Sequence, residues 1–196
     1  MTDQPPSPSD WELDERARGG ERAAFRTLVE RYQGKVAALA LGMLRNREDA
    51  LDVVQETFTR AFQSLDRFKG DASFYTWIYR IALNLCVDQQ RREARMPRVP
   101  IEIGPEQADH APAPTRLVTG QQDEPFARAR DAEIARRLRA AIAELTPEHR
   151  AVILLREVDG LSYEEISRVL QCPKGTVMSR LHYARRQLQA RLRELL

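Results

Sequence analysis

The chain has 196 residues, of which 31% are charged and 7% aromatic, and its formal net charge is only +2. This length accommodates one or two small domains, and so balanced a total charge indicates no class of partner. The acidic, proline-rich N-terminus lacks the apolar core of a signal peptide, and no stretch approaches the ~18 consecutive apolar residues of a membrane span. We therefore expect a cytoplasmic protein that does not insert into a membrane.

The two cysteines, Cys86 and Cys172, lie far apart in the sequence, and the three histidines are isolated. Two distant thiols form neither a disulfide framework nor a zinc site, and no histidine or cysteine pair has metal-ligand spacing. A P-loop or other glycine-rich phosphate loop is also missing from the sequence. These observations predict no metal, no cofactor and no enzymatic activity.

Three helices are predicted in the N-terminal part of the chain, residues 10–95. The first runs from Glu21 to Leu44, where apolar residues recur at spacings of three and four. Asn46 is a suitable N-cap for the second helix. The inward face of this second helix should hold Ala50, Leu51, Val54, Phe58, Ala61, Phe62 and Leu65. After a turn at Gly70, a third helix should run from about Ser73 to Arg95.

A break in composition follows at Met96 to Glu124, a segment with five prolines and no aromatic residue. Such a segment cannot bury enough apolar surface to offset the entropy lost on ordering. We interpret residues 96–124 as a flexible linker between two parts of the chain.

Residues 125–196 are predicted to form four helices. The first covers about Phe126 to Leu145, and the second begins at Thr146-Pro147, a cap followed by a favoured first-turn proline. Ser162 and Glu165 form a capping box that starts the third helix. The fourth has one apolar stripe at helical period, made of Val177, Leu181, Ala184 and Leu188. We therefore predict an all-α fold of two small domains: an N-terminal domain of three or four helices and a C-terminal four-helix domain.

The last two helices have the pattern of a helix-turn-helix, in which the second helix enters a groove of DNA. At 100° per residue, the side opposite the apolar stripe presents Gly175, Ser179, His182, Tyr183 and Arg186, with Thr176 and Met178 at its margins. Six cations stand against one anion from Lys174 to the C-terminus. The alternative is an amphipathic hairpin whose polar face is simply solvated.

Charge is distributed unevenly in the N-terminal part. Arg47 to Asp66 contains five acids and two arginines, whereas Arg67 to Arg95 contains six cations and three acids. An acidic segment next to basic ones suggests one protein partner and one nucleic-acid partner, although chance clustering of solvated charges gives the same pattern.

The segment from Phe68 to Arg92 interleaves aromatic residues with cations. Part of it must be core, because Ile78, Ile81 and Leu85 have helical spacing, and Trp77 is expected to join them. Exposed aromatic faces, however, stack unpaired bases at ~1–3 kcal/mol each, while nearby cations follow the phosphates. Single-stranded DNA is therefore a candidate ligand. Phe68 could form the wall, and Asn84 supply the amide, of a pocket for a base taken out of the duplex.

These motifs together resemble the extracytoplasmic-function (ECF) sigma factors of the bacterial sigma-70 family, close to the sigma-E type. The resemblance lies in DVVQETF at 52–58, FKGD at 68–71, FYTWIYRIA at 74–82, DGLSYEEI at 159–166 and CPKGTV at 172–177. It covers about Glu12 to Leu196 except the linker. Two long motifs in the right order on either side of a proline-rich gap make the resemblance specific.

The resemblance implies a non-enzymatic subunit that directs core RNA polymerase to promoters and melts them. Residues 10–95 would be sigma region 2, and residues 125–196 sigma region 4. The acidic helix would dock on the β′ clamp helices through Asp52, Gln55 and Glu56. The melted −10 strand would contact Phe68, Lys69, Gly70, Asp71, Tyr75, Trp77, Arg80 and Asn84. The −35 duplex would be read by Lys174, Thr176, Met178, Ser179, His182, Tyr183 and Arg186.

Two further partners are expected from the resemblance alone. One is the β flap of the polymerase, and the other is an anti-sigma factor that could hold the protein at the inner membrane. The alternative function is a stand-alone helix-turn-helix transcriptional regulator. That alternative leaves the acidic helix and the aromatic-basic segment unexplained.

Overall fold

A computed structural model of the protein describes residues 8–44, 46–68, 73–95 and 125–193, and these residues form helices and turns without a strand. The all-α prediction is thus confirmed. The helices are α1 (Asp10–Arg18), α2 (Arg22–Met43), α3 (Arg47–Gln63), α4 (Phe74–Arg95), α5 (Pro125–Ala143), α6 (Pro147–Ile153), α7 (Tyr163–Leu170) and α8 (Lys174–Arg193). A short 3₁₀ turn (Leu65–Arg67) follows α3, and a wide π turn (Leu154–Val158) continues α6.

The predicted helix starts are confirmed by their caps. The Asn46 side chain accepts a hydrogen bond from the backbone N–H of Glu48 at 2.8 Å. The Thr146 hydroxyl caps α6, whose first residue is Pro147. Ser162 and Glu165 form the complete capping box of α7. These side chains satisfy backbone donors that a helix start otherwise leaves without partners.

The structure adds one helix to the three predicted in the N-terminal part. This helix, α1, begins with a second capping box, formed by Ser9 and Glu12. Its Asp10 carboxylate accepts hydrogen bonds from the side chains of Arg31 and Tyr32 on α2. Because α1 is held through its first turn in this way, it packs along α2 and buries Leu13.

The inward face of α3 differs from the prediction. Leu51 and Phe62 are 50% and 49% exposed, whereas Val53 and Thr57 are buried. The buried polar residue is tolerated because the Thr57 hydroxyl donates to the carbonyl of Val53 at 2.6 Å. The prediction of Leu51 and Phe62 as inward was wrong, because α3 is rotated so that its acidic side also carries two apolar side chains.

The C-terminal helices pack as the sequence predicts. The apolar stripe of α8 is buried, with Val177 and Ala184 fully enclosed. The turn between α7 and α8 passes through Gln171, whose φ of 50° is left-handed. Such a conformation at a helix C-terminus ends the helix sharply, although glycine is the more common residue there. The turn brings α8 across α7 in helix-turn-helix form.

The N-terminal unit (residues 8–95) and the C-terminal unit (residues 125–193) lie in contact. Helix α2 packs against α5 and α6, and α4 packs against α7. The buried apolar side chains of both units form one continuous core. The division into two domains stays a prediction, and the linker 96–124 lies outside the described residues. Within the described ranges, no helix is long and apolar enough to cross a membrane.

Candidate nucleic-acid and protein-binding surfaces

Helix α3 presents an acidic face that also carries apolar side chains. Asp52 and Gln55 are exposed, and Glu56 is partly exposed and forms an ion pair with Arg60 at 2.6 Å. Leu51 and Phe62 are exposed on the same helix. A shallow groove between α2 and α3 is lined by Val29, Gln33, Val54, Gln55, Phe58, Thr59, Phe62 and Gln63. A surface with this mixture of carboxylates, amides and apolar groups suits a protein partner.

The predicted aromatic platform is largely packed inside. Phe68 and Trp77 are only 7% and 9% exposed, and their rings stack on each other with centroids 4.6 Å apart. Phe74 packs edge-on against both rings. In this arrangement little of either predicted stacking ring is accessible to a base. A DNA-binding role for Phe68 and Trp77 stays a prediction, and it requires the cluster to open.

The polar members of the predicted −10 set are more accessible. Asn84 is exposed, and Arg80 and Tyr75 are partly exposed. Trp77, Arg80 and Asn84 follow one another at helical spacing on α4, so they share one side of this helix. The remaining predicted residues, Lys69, Gly70 and Asp71, lie outside the described residues.

Tyr79, next to this side of α4, is fully buried, and its hydroxyl donates to Asp159 Oδ1 at 3.0 Å. Burial and the nearby Asp159 carboxylate raise the pKa of Tyr79 far above its usual value, so the hydroxyl stays protonated. Burial also raises the pKa of Asp159, to about 6. Sequence reasoning missed this pair because its members are 80 residues apart. The only signal was that each lies inside a motif of the resemblance.

The structure brings five of the predicted −35 residues together on one side of α8, whereas Thr176 is only partly exposed and Lys174 is turned towards Glu164 of α7. Met178 and Tyr183 are 51% and 55% exposed, and Ser179, His182 and Arg186 are also exposed. The rings of His182 and Tyr183 meet edge-on at 5.7 Å. The major groove of DNA, about 12 Å wide, admits an α-helix that presents such a polar side to the base edges.

The cations of α8 differ in their surroundings. Lys174 is paired with Glu164 of α7, and Arg185 is paired with Glu157 at 2.6 Å. The hydrogen bond from Lys174 lowers the pKa of Glu164, consistent with an ionised partner. Lys174 and Arg185 thus brace the helix-turn-helix, whereas Arg186 lies among the exposed residues of the predicted reading side.

Two family models match the chain, one in each unit. The model "Sigma-70 region 2" matches residues 28–96, which include α3, α4 and most of α2. The model "Sigma-70, region 4" matches residues 135–188, which include the helix-turn-helix. The acidic face of α3 and the aromatic-basic helix therefore fall inside region 2, and the basic side of α8 falls inside region 4.

Relatives match over almost the whole chain. The ECF RNA polymerase sigma-E factor of Haemophilus influenzae is 39% identical over 96% of this chain and 97% of its own length. The RNA polymerase sigma-H factor of Pseudomonas aeruginosa is 37% identical, over 95% of each chain.

Solved structures agree with these relatives. CnrH, in complex with the cytosolic domain of CnrY, matches with a TM-score of 0.70 and 29% identity, over 95% of this chain and 99% of CnrH. The sigma factor RpoE of Bartonella quintana, in complex with the anti-sigma factor NepR, has the same fold, with a TM-score of 0.63 and 23% identity over 86% and 96% of the two chains. By its sequence and its fold, the chain belongs to the ECF sigma factors of the sigma-70 family.

Proposed function

We propose that this sigma factor divides promoter recognition between the surfaces described above, with α3 docking on core RNA polymerase, α4 capturing the melted −10 strand and α8 reading the −35 duplex. The observation that carries the proposal is the order of these surfaces: an acidic face, an aromatic-basic helix and a basic reading helix follow one another along one short chain. A stand-alone regulator is not favoured, because it gives the region 2 unit no role.

The α3 face is proposed as the polymerase contact. Asp52, Gln55 and Glu56 would meet a basic or amide-rich helical surface of β′, and Leu51 and Phe62 would add apolar area beside them. Complementary charge speeds the encounter and fixes its register, whereas buried apolar side chains supply much of the affinity.

The α4 surface is proposed as the −10 contact. Arg80 can neutralise a phosphate, and the Asn84 amide can pair with the edge of an extruded base. Tyr75, Phe68 and Trp77 would stack on unpaired bases once the aromatic cluster is accessible. Lys69, Gly70 and Asp71 follow Phe68 directly in the sequence and would complete the pocket.

The α8 side is proposed as the −35 contact. Lys174, Thr176 and Ser179 lie in its first turns, where backbone N–H groups and hydroxyls contact phosphates. Met178, His182, Tyr183 and Arg186 would reach base edges or the facing backbone.

An anti-sigma factor is proposed as the inhibitory partner, as CnrY and NepR are partners of the structural relatives. Such a partner could hold the protein at the inner membrane, while the sigma factor itself would act in the cytoplasm. The sigma factor would have no enzymatic activity of its own and would work through the active site of the polymerase.

Reconstituted transcription tests the proposed function. Core polymerase plus the full chain should initiate at a promoter selected from a random library, and permanganate should detect unpaired thymines in its −10 element. Core polymerase alone should do neither. Duplex binding by the chain with no effect on core polymerase would contradict the proposal and favour a stand-alone regulator.

A further inference from the structure

Arg150 joins the two units at the ends of two helices. Its guanidinium, only 5% exposed, donates to the carbonyl of Met43, the last residue of α2, at 2.5 Å. It also donates to the carbonyls of Ile142 and Leu145 at the end of α5, at 3.1 and 3.0 Å. The last carbonyls of a helix lack partners within the helix and carry partial negative charge. The buried guanidinium of Arg150 therefore caps the C-terminal end of one helix in each unit.

The Tyr79–Asp159 hydrogen bond is a second polar link between the units. Tyr79 lies on α4 of the N-terminal unit, and Asp159 lies just before the helix-turn-helix of the C-terminal unit. The second carboxylate oxygen, Oδ2, is buried and has no hydrogen-bond partner among the described residues. Among the described residues, Tyr79 therefore supplies the one hydrogen bond to the buried carboxyl group of Asp159.

Gly42 lets the two backbones approach closely at the same interface. A Cβ atom at this α2 position would lie 2.7 Å from Leu154 Cδ1 of the C-terminal unit, closer than carbon atoms pack. A Cβ atom at Gly34, two turns earlier on the same helix, would meet nothing within 4 Å. Any side chain at position 42 would therefore have to displace Leu154 from its place in the interface, whereas a side chain at position 34 would displace nothing.

The closed arrangement places the helix-turn-helix against α4, the helix that carries the proposed −10 surface. Helix α7 packs on α4, where Asp159 holds Tyr79 and Glu165 of α7 lies near Tyr75. The 29 residues of 96–124 could span up to about 100 Å if fully extended, which is more than two touching units need. The covalent chain therefore permits separation, and the contacts between the units hold them together.

We propose that Arg150–Met43 and Tyr79–Asp159 form an intramolecular clasp, which holds the free sigma factor in a closed, inactive form that must open before both promoter elements are bound. This inference rests on the proposed function for its biological consequence. The clasp itself is a property of the free chain and can be measured without polymerase.

The clasp is also expected to respond to pH through Asp159. This carboxyl group is faced by Tyr79 and Tyr75 of α4 and by Lys35 of α2, and Glu165 of α7 lies near Tyr75. Burial raises the pKa of Asp159 from 3.8 to about 6, against the lowering effects of Tyr79 and Lys35. Because the closed form binds this proton more tightly than an open form does, closure strengthens as pH falls through 6. A change from pH 7.5 to pH 5 should raise the closed-to-open ratio about tenfold.

Fluorescence energy transfer between the units tests the clasp in the full chain. Dyes would be attached through Glu30→Cys on α2 and Gln189→Cys on α8, both at exposed positions, in a Cys172→Ser background. Cys86 can stay, because burial raises the pKa of its thiol to about 12 and the reactive thiolate is scarce. The labelled protein with no change in the clasp residues should give high energy transfer.

Gly42→Leu should lower the transfer, and Gly34→Leu is its matched control on the same helix. Neither change should unfold α2, because leucine has the higher helix propensity, and circular dichroism checks this point. Tyr79→Phe, which keeps the ring and removes the donor, should also lower the transfer. Equal transfer in the Gly42 and Gly34 variants, together with unchanged transfer in Tyr79→Phe, would overturn the clasp.

Asp159→Asn tests the pH response. The asparagine keeps an acceptor for Tyr79 and cannot titrate, so this variant should stay closed at both pH values. A tenfold pH response that persists in Asp159→Asn would overturn the role of Asp159.

Titration with core polymerase then tests the inhibitory part. If the closed form outnumbers the open form ten to one, closure weakens the apparent affinity about tenfold, and Gly42→Leu should recover that factor relative to Gly34→Leu. Equal affinities despite different energy transfer would overturn inhibition by the clasp. If no variant, nor the unsubstituted chain, supports promoter-dependent transcription, the proposed function fails while the energy-transfer result stands.

Discussion

Met178 and Arg186 show how individual side chains of α8 set the chemistry of the reading surface. Both are exposed on the same side of the helix. Arginine can donate two hydrogen bonds to guanine or pair with a phosphate, whereas methionine offers only an apolar contact, for instance to a thymine methyl group. We therefore expect a −35 element read by a mixture of polar and apolar contacts.

Arg186→Ala should weaken binding to the −35 duplex by about 1–3 kcal/mol if the arginine contacts a base, or reduce the salt slope by about one if it contacts a phosphate. Anisotropy titrations of the full chain at several salt concentrations measure both quantities. Arg185→Ala is the control, because its guanidinium is already paired with Glu157. Unchanged affinity and salt slope in Arg186→Ala would remove this residue from the interface.

Asn84→Ala should impair recognition of the −10 strand and leave docking on core polymerase intact, because the side chain is exposed and its loss leaves the core unchanged. Permanganate reactivity of the promoter and a polymerase-binding assay measure the two properties separately. Asp88→Ala, also exposed on α4, should affect neither. An equal loss of both properties in Asn84→Ala would indicate a damaged fold instead of a lost base contact.

Helix α3 shows why a whole element must be considered when a face is assigned. Its acids were expected opposite a fully inward apolar set, yet Leu51 and Phe62 lie at the surface. Phe62 still packs against Phe25 of α2, with ring centroids 5.2 Å apart. The helix thus presents charge and apolar side chains together on one face.

Asp52→Lys combined with Glu56→Lys should abolish docking on core polymerase by reversing the charge of this face. Asp66→Lys combined with Glu93→Lys is the matched control, because it makes the same change in net charge at two exposed acids elsewhere. Polymerase binding by gel filtration, with circular dichroism for the fold, distinguishes the two variants. Docking retained by the α3 variant would exclude this face as the polymerase contact.

The helix-turn-helix depends on the cap of α7. Ser162→Ala should lower the free energy of unfolding by about 1 kcal/mol, because the N–H of Glu165 loses the hydroxyl that caps it. Urea denaturation measures this change. Thr59→Ala, an exposed hydroxyl in the interior of α3, should cost nothing, since alanine has the higher helix propensity. Equal stabilities of the two variants would mean that the capping box contributes little.

For the whole molecule, the decisive feature is that residues 8–95 and residues 125–193 share one core. Two polar links accompany this shared core, the Arg150–Met43 and Tyr79–Asp159 hydrogen bonds. Such groups are costly when unpaired and are paired here across the interface, which gives the closed form a defined geometry.

Arg150→Met tests this view through stability. The substitution keeps apolar volume and removes the charged donor shared by the carbonyls of Met43, Ile142 and Leu145. The Met43 carbonyl keeps its hydrogen bond from Gln90, whereas the Leu145 carbonyl loses the Arg150 donor. We expect the free energy of unfolding to fall by about 3 kcal/mol. Arg168→Met, at an exposed position of α7, should change it by no more than about 0.5 kcal/mol. Comparable stabilities would show that Arg150 is not important for the closed form.

Local patterns in the sequence predicted every described helix except α1, together with the caps of three of them and the family. Asn46, Thr146 and the Ser162–Glu165 pair act on backbone groups at most three residues away, and the stripe of α8 follows from helical geometry alone. Such features need no knowledge of the rest of the chain. The candidate surfaces followed from the same local motifs, because the residues of each surface are close together in the sequence.

Tertiary structure decided which side chains of these helices are buried and which distant residues they contact. Several features depend on partners from other helices. They are the rotation of α3, the burial of Phe68 and Trp77, the close approach at Gly42, and the Tyr79–Asp159 and Arg150–Met43 hydrogen bonds. The last of these bonds spans 107 residues, and no periodicity within one helix reports such a partner. Whether a segment forms a helix depends mainly on neighbouring residues, whereas the burial of a side chain depends on which distant elements pack against it.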